Sequence, residues 1–286
     1  MWTRASAVTS RAPRLLAVVV ALAAAGCGGG DSGPRGTLVD FDYVGARGIV
    51  LRPVDGGTTK LIRLVPEPIG LADYTLDGKR LVYAGDRGLY VADADGNDIR
   101  YVRGQPFNNA LNYDPAWSPD DGRIVFSNNG MLYTIAADGG GLRGIGPGEF
   151  PDWSPAGDLI VFVRNWGASS SVGDVTVARS DGSGARMLGR GHWPSFSPDG
   201  ESVAYSNDET IYVVPVDGGM PRVVTRDGYA PVWSPDGRYL AFARVTECGH
   251  AVCSGRIYVM PAEGGVARPV TPLIGDPSGP LDWIED

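Results

Sequence analysis

Few residues in this chain of 286 could do chemistry, and they are widely spaced. There are two histidines, His192 and His250, and three cysteines, Cys27, Cys248 and Cys253. A Ser-His-Asp relay needs a base held beside a nucleophile, and neither histidine stands near a nucleophile-elbow motif. Cys248 and Cys253 bracket Gly249-His250-Ala251-Val252, which would be half of a metal site. A second ligand pair is missing, so no metal centre is expected, and no cofactor. In an oxidising compartment the same spacing suits a small local disulfide. Asp114, Glu149 and Asp152 could act as paired carboxylates in glycoside cleavage. Asp93-Ala94-Asp95-Gly96-Asn97-Asp98 puts carboxylates at positions 1 and 3 of a calcium-type loop, with Asp98 where such a loop needs glycine. The same segment coincides with a repeated turn, and the turn is the expected reading.

What must position these residues is a repeat. Pro231-Val232-Trp233-Ser234-Pro235-Asp236-Gly237 is followed by the alternating run Tyr239-Leu240-Ala241-Phe242. Ser-Pro-Asp-Gly suits a type I turn position by position: a side-chain acceptor at i, a preset φ at i+1, and glycine at i+3. The unit recurs at Pro115 to Gly122, Pro151 to Gly157 and Pro194 to Gly200. A degenerate copy runs from Ala72 to Gly78, and a truncated one from Leu281 to Asp286. A second marker is a strand ending in an Asp-Gly or Glu-Gly turn, clearest at Ile211 to Gly219. Its relatives are Ile49 to Gly57, Leu89 to Gly96, Leu132 to Gly140, Val175 to Gly182 and Ile257 to Gly265. Short strands such as Arg222-Val223-Val224-Thr225 follow most of them.

Four strands in roughly 40 residues is the blade period of a β-propeller. The two markers are out of phase at the chain ends. The chain opens on the later strands of a blade and closes on a first strand, Leu281 to Ile284. An all-β, six-bladed propeller of four-stranded blades is therefore expected, closed by one C-terminal strand pairing with three N-terminal strands. Closure of this kind removes free sheet edges. The paired markers resemble the WD40-like repeats of the TolB family, whose signature is P-x-W-S-P-D-G followed by an apolar strand and an I-Y-V strand. The resemblance covers nearly all of residues 37–286. TolB proteins carry a further N-terminal α/β domain, where this sequence has a short tether.

Arg4, Arg11 and Arg14 precede an apolar or small-residue run from Leu15 to Ala25 that is too short to span a bilayer. Residues 1–26 read as a secretory signal. Ala24-Ala25-Gly26-Cys27 resembles the lipobox of bacterial lipoproteins, in which the cysteine is acylated and becomes the new N-terminus. Residues 27–36 then hold the lipidated Cys27 and a glycine-rich tether, and residues 37–286 the propeller. Removing three arginines and no acid takes the formal net charge from −8 to −11. A chain this acidic is not suited to nucleic acid or to an anionic membrane surface. The localisation expected is the cell envelope, extracytoplasmic and lipid-anchored, with the chain a monomer.

In a propeller the first strand of each blade lines the axis. The Ser-Pro-Asp-Gly and Asp-Gly turns then share one face, with the tether, and the between-blade loops share the other. Residues just before each Pro-x-Trp should ring the axial mouth: Tyr113, Asp114, Glu149, Phe150, His192, Trp193 and Tyr229. Exposed aromatics at a concave mouth suit recognition. The longer loops 164–173 and 245–256 reach the same face. The reading is a non-catalytic propeller that binds an envelope protein or peptide through its axial face. A hydrolase or lyase acting on an envelope polysaccharide through the acids at that mouth is the alternative.

Overall fold

The structure, a computed structural model, describes residues 33–42, 48–64, 72–75, 77–85, 87–103, 114–165, 172–248, 253–271, 274–275 and 282–284. Cys27, Tyr113, His250 and the signal segment fall outside them. Every element among the described residues is a strand, and the fold is all-β and propeller-like. β1 (Thr37–Asp42), β2 (Gly48–Pro53) and β3 (Lys60–Ile62) are antiparallel neighbours. β4 (Ala72–Tyr74), β5 (Arg80–Gly85), β6 (Gly88–Asp93) and β7 (Arg100–Arg103) form a four-stranded sheet. β8 (Ala116–Trp117), β9 (Arg123–Asn128), β10 (Met131–Ala136) and β11 (Arg143–Pro147) form another.

The next strands were expected as two separate sheets and instead make one path of seven. They are β12 (Glu149–Trp153), β13 (Leu159–Arg164), β14 (Gly173–Arg179), β15 (Arg186–Phe196), β16 (Ser202–Asn207), β17 (Thr210–Pro215) and β18 (Arg222–Thr225). The cause is β15, whose 11 residues pair first with β14 and then with β16 without an intervening loop. β19 (Tyr229–Trp233), β20 (Tyr239–Cys248), β21 (Cys253–Pro261) and β22 (Arg268–Pro269) follow, with β23 (Ile274–Gly275) also on β21. Last, β24 (Asp282–Ile284) pairs back onto β1, Trp283 opposite Leu38.

The repeated turns owe their shape to a side-chain hydroxyl. Ser197 Oγ donates to Asp199 Oδ1 at 2.5 Å and accepts the Ser202 amide at 2.9 Å, while Gly200 N closes on the Ser197 carbonyl at 2.8 Å. Ser234 repeats the set with Asp236, Tyr239 and Gly237. The closing glycines need positive φ, 74° at Gly200 and 70° at Gly237. In the copy with an extra aspartate the left-handed position passes to Asp121, φ 56°, and not to Gly122. The Ser118 hydroxyl, with the Gly122 amide behind it, holds the Asp120 carboxyl below the usual range, and Ser197 does the same for Asp199. The two kinds of turn meet at one end of each sheet: Val216 N donates to Glu201 O and Ala262 N to Arg238 O.

Between sheets, polar groups cross the seams. The Trp153 indole donates to Ala116 O at 3.1 Å and Trp233 to Ser195 O at 3.3 Å, while Trp283 on β24 donates to Arg35 O, just ahead of its partner strand β1, at 2.9 Å. The Asp73 carboxylate accepts the Trp117 amide at 2.6 Å, and Asp152 accepts that of Phe196 at 2.8 Å. The outer strands β3, β7, β11, β18 and β22, and the shared strand β15, each open on a cation: Lys60, Arg100, Arg143, Arg222 and Arg268, and Arg186. Several of these reach the next sheet. Lys60 pairs with Asp95, Arg186 donates to Val216 O, and Arg222 donates to Ala262 O. Apolar clusters fill every seam named here. The largest joins β1, β2, β3 and β24 (Leu38, Ile49, Ile62, Trp283) both to β4–β6 (Tyr74, Leu81) and to β19–β21 (Val232, Ile257).

Asp152→Ala should lower unfolding free energy by about 1–3 kcal/mol, because the Phe196 amide loses its acceptor inside the seam. Asp152→Asn, which keeps an oxygen there, should recover most of it. Urea melts of the three proteins decide, and equal midpoints would remove the seam role of Asp152.

Candidate functional site

The same four-residue device opens β12 and β19 and recurs within β15, where that strand passes from β14 to β16. Gly148-Glu149-Phe150-Pro151, Gly191-His192-Trp193-Pro194 and Gly228-Tyr229-Ala230-Pro231 share a Gly-x-x-Pro spacing. The glycines are required by close approach. A Cβ on Gly148 would sit 2.6 Å from Phe162 Cδ2, one on Gly191 2.6 Å from Tyr205 Cδ2, and one on Gly228 2.4 Å from Phe242 Cδ2. Those three rings occupy equivalent places on the second strands. Two residues later the chain bulges: the register slips between Glu149 and Asp152, His192 and Ser195, and Tyr229 and Val232. At each bulge a non-glycine residue takes positive φ, 54° at Phe150, 50° at Trp193 and 49° at Ala230. A left-handed residue before proline is a strained arrangement, and bulges of this kind re-aim side chains.

The bulges are tied together side by side. Phe150 N donates to Asp114 Oδ2 at 3.4 Å, which also accepts from Ser127 Oγ at 2.8 Å. The Phe150 and Trp193 rings meet edge to face, with centroids 6.4 Å apart. His192 lies edge-on to Trp193 at 4.3 Å, and its Nδ1 is 3.0 Å from Ser206 Oγ. Ser206 Oγ in turn accepts the Ala230 amide at 3.4 Å. Ser206 Oγ also reaches the His192 carbonyl at 3.4 Å. Burial pushes the His192 pKa down to about 4 against a weaker upward pull from Asp208. The Tyr229 hydroxyl donates to Glu209 Oε1 at 2.9 Å. Burial first, then that carboxylate, pushes its pKa up to about 12.

Sequence reasoning brought Asp114, Glu149, Phe150, His192, Trp193 and Tyr229 to one region, and the bulges and ring contacts link most of them there. Their exposure differs from the expectation of an aromatic rim. Asp114 is 3% exposed, Phe150 5%, His192 7% and Glu149 8%. Trp193 and Tyr229 are half-buried. The Phe150 ring is turned inward by the bulge, which a simple strand alternation does not anticipate. Sequence reasoning also passed over Ser127 and Ser206, each the polar partner of an inner-strand residue. The glycines of the Gly-x-x-Pro spacing were a readable signal for all three bulges.

The chemistry available is limited. Asp114 and Asp152 hold main-chain amides, which removes them from acid-base work at a substrate. Ser206 lies fully buried beneath Ala230 and is no nucleophile. Among the described residues no group of His, Cys, Asp and Glu side chains could hold a metal ion. Asp93 Oδ1 accepts the amides of Asp95 and Asn97, at 3.1 and 2.7 Å, so the calcium-like segment is a turn. Beside the mouth, β20 and β21 run 10 and 9 residues, where the equivalent β16 and β17 have 6 each. Cys248 and Cys253 are partners in the backbone register of this longer hairpin.

No family model matches the chain. An uncharacterized protein of Agrobacterium fabrum, Atu1656, is 30% identical over 133 residues, 42% of this chain and 43% of its own length. The chain thus spans less than half of the curated relative it matches. Among solved structures, TolB from Acinetobacter baumannii superimposes with a TM-score of 0.67 at 17% identity, over 90% of this chain and 68% of that one. A TolB-type protein from Agrobacterium tumefaciens gives 0.63 at 20% identity, covering 89% and 100%. An oligogalacturonate lyase from Vibrio parahaemolyticus gives 0.56 at 14% identity, covering 82% and 73%. At these identities the likeness is one of fold, and the fold is that of TolB-like propellers.

His192 should leave a signature in the pH dependence of stability. Above its ordinary pKa of 6.5 the ring is neutral folded and unfolded, so it contributes nothing. As the pH falls below that, the unfolded chain takes up a proton that the buried ring refuses until about 4. Stability should therefore drop through this window, by about 3 kcal/mol in all. In His192→Gln the loss between pH 6.5 and 4.5 should be smaller, as read from melting midpoints. Parallel curves for the two proteins would contradict a buried neutral imidazole.

Proposed function

We propose that this chain is a lipid-anchored, extracytoplasmic propeller of six four-stranded blades that binds an envelope protein or peptide through its axial face. Residues 1–26 serve as the signal, Cys27 carries the lipid, residues 27–36 form the tether, and residues 37–286 form the propeller, acting as a monomer. The six-bladed closed count is supported by the pairing of β24 with β1 and by the apolar cluster that spans the sheets on either side of them. Binding is favoured over catalysis by one observation: Asp114 and Asp152 hold backbone amides, whereas Trp193 and Tyr229 keep part of their rings exposed. The oligogalacturonate lyase is likewise a propeller, so the fold likeness supports the polysaccharide-cleaving alternative no better.

A pull-down from envelope extract tests the reading. Trp193→Ala with Tyr229→Ala should lose partners that the wild type retains, with both proteins melting cooperatively. Tyr113, Asp114, Glu149, Phe150 and His192 belong to the same proposed surface. The buried ones among them are poor probes, because their loss disturbs packing. Identical partner sets for wild type and variant would overturn the axial-face proposal.

The register also supports a disulfide between Cys248 and Cys253. Directly opposite residues of an antiparallel pair lie about 4.5–5.5 Å apart at Cα, inside the range a disulfide accepts. Alkylation should label neither thiol in the native protein and both after reduction. Labelling without reductant would exclude the bond.

A further inference from the structure

The two most exposed apolar side chains among the described residues are Met220, at 92%, and Val266, at 89%. They occupy the same place on adjacent sheets, each following a turn of matched conformation. Gly218 and Gly219 have φ of 92° and 137°, Gly264 and Gly265 of 103° and 134°. Gly218 N closes on Pro215 O at 2.8 Å and Gly264 N on Pro261 O at 2.9 Å. The paired left-handed glycines make each turn protrude, with its next residue outward. The equivalent positions elsewhere are Thr58, Asp98, Gly141 and Gly184. Arg222 joins the two tips, donating to Ala262 O at 3.1 Å with Glu263 at 3.7 Å.

The position of these tips relative to the start of the described chain decides what they meet. A side chain at Gly33 would lie 3.4 Å from Arg268 Nη2, and Arg268 is two residues beyond Val266. Gly33 is the sixth residue after Cys27, a reach of about 20 Å when extended. A lipid on Cys27 would hold this corner of the turn-rich face against the bilayer. Two isolated apolar tips are too small for a protein interface, which needs on the order of 800 Å² from each partner. An apolar tip beside an arginine, whose stem can lie along apolar surface while its head stays wet, suits the headgroup boundary.

We propose that Met220 and Val266 dip into the lipid surface and set the orientation of the propeller on it, the axial mouth facing away. This rests on the lipid-anchor reading. Each tip also carries an acid, Asp217 or Glu263, so the surface that fits is zwitterionic and not anionic.

The test uses full-length protein with its native N-terminus in phosphatidylcholine vesicles containing acyl-brominated lipid. An environment-sensitive fluorophore is placed on Met220→Cys, Val266→Cys or Asn129→Cys, with unsubstituted protein as the labelling control. Asn129 is exposed in the β9–β10 hairpin, at the opposite end of the sheets. Lipid quenching should be several-fold stronger at the first two positions than at the third. Intact mass of the N-terminal peptide reports acylation of Cys27. Acylated protein with equal quenching at all three positions overturns this inference alone. An unacylated Cys27 overturns the anchor reading and this inference with it.

Discussion

Three inner-strand amides find their acceptor on a neighbouring set of strands and not on a ladder partner, and the fold is organised by how neighbours supply those acceptors. Asp73 reaches across for Trp117 N, Asp152 for Phe196 N and Asp114 for Phe150 N. A buried amide without a partner costs about as much as a lost hydrogen bond, so these neighbours depend on one another. Indole-to-carbonyl bonds from Trp153 and Trp233 extend the same dependence to the apolar seams. Trp117 is the variant case: its amide goes to Asp73, while the Arg80 guanidinium covers its ring at 4.9 Å.

This dependence explains why residues that look chemically able turn out to be architectural. A carboxylate that accepts an amide in a seam is oriented by it, and that orientation serves the fold. His192 shows the complementary case. Its ring shares a hydrogen bond with Ser206, and Ser206 accepts from Ala230, so one side chain passes order from the β15 bulge to the β19 bulge. What is left with partial exposure at the mouth is aromatic surface, which can recognise without transforming.

Much of the scaffold was legible because its turns carry their own chemistry. Ser197, Asp199 and Gly200 do in the structure what their types imply, and Thr75 and Asp77 do so even in the degenerate copy. The extra aspartate at Asp120-Asp121 leaves the left-handed position undecided in sequence, and the structure gives it to Asp121. At the mouth, the place of Phe150 before the repeated Pro-x-Trp predicts an exposed aromatic ring, but a bulge breaks the strand's alternation there and the ring is buried. The cations heading the outer strands were visible as Arg222 and Arg268. Their reach across a seam was not, because it depends on which strands become neighbours.

The pairing of β24 with β1 joins Trp283 to Leu38, two residues that lie almost a whole domain apart in sequence. Contacts of such separation carry the largest loop-closure entropy and form late. A chain emerging from synthesis or export N-terminus first would hold β1 with an unpaired edge until β24 arrives. During that interval the exposed edge can pair with another chain, which makes β24 a safeguard against misassembly.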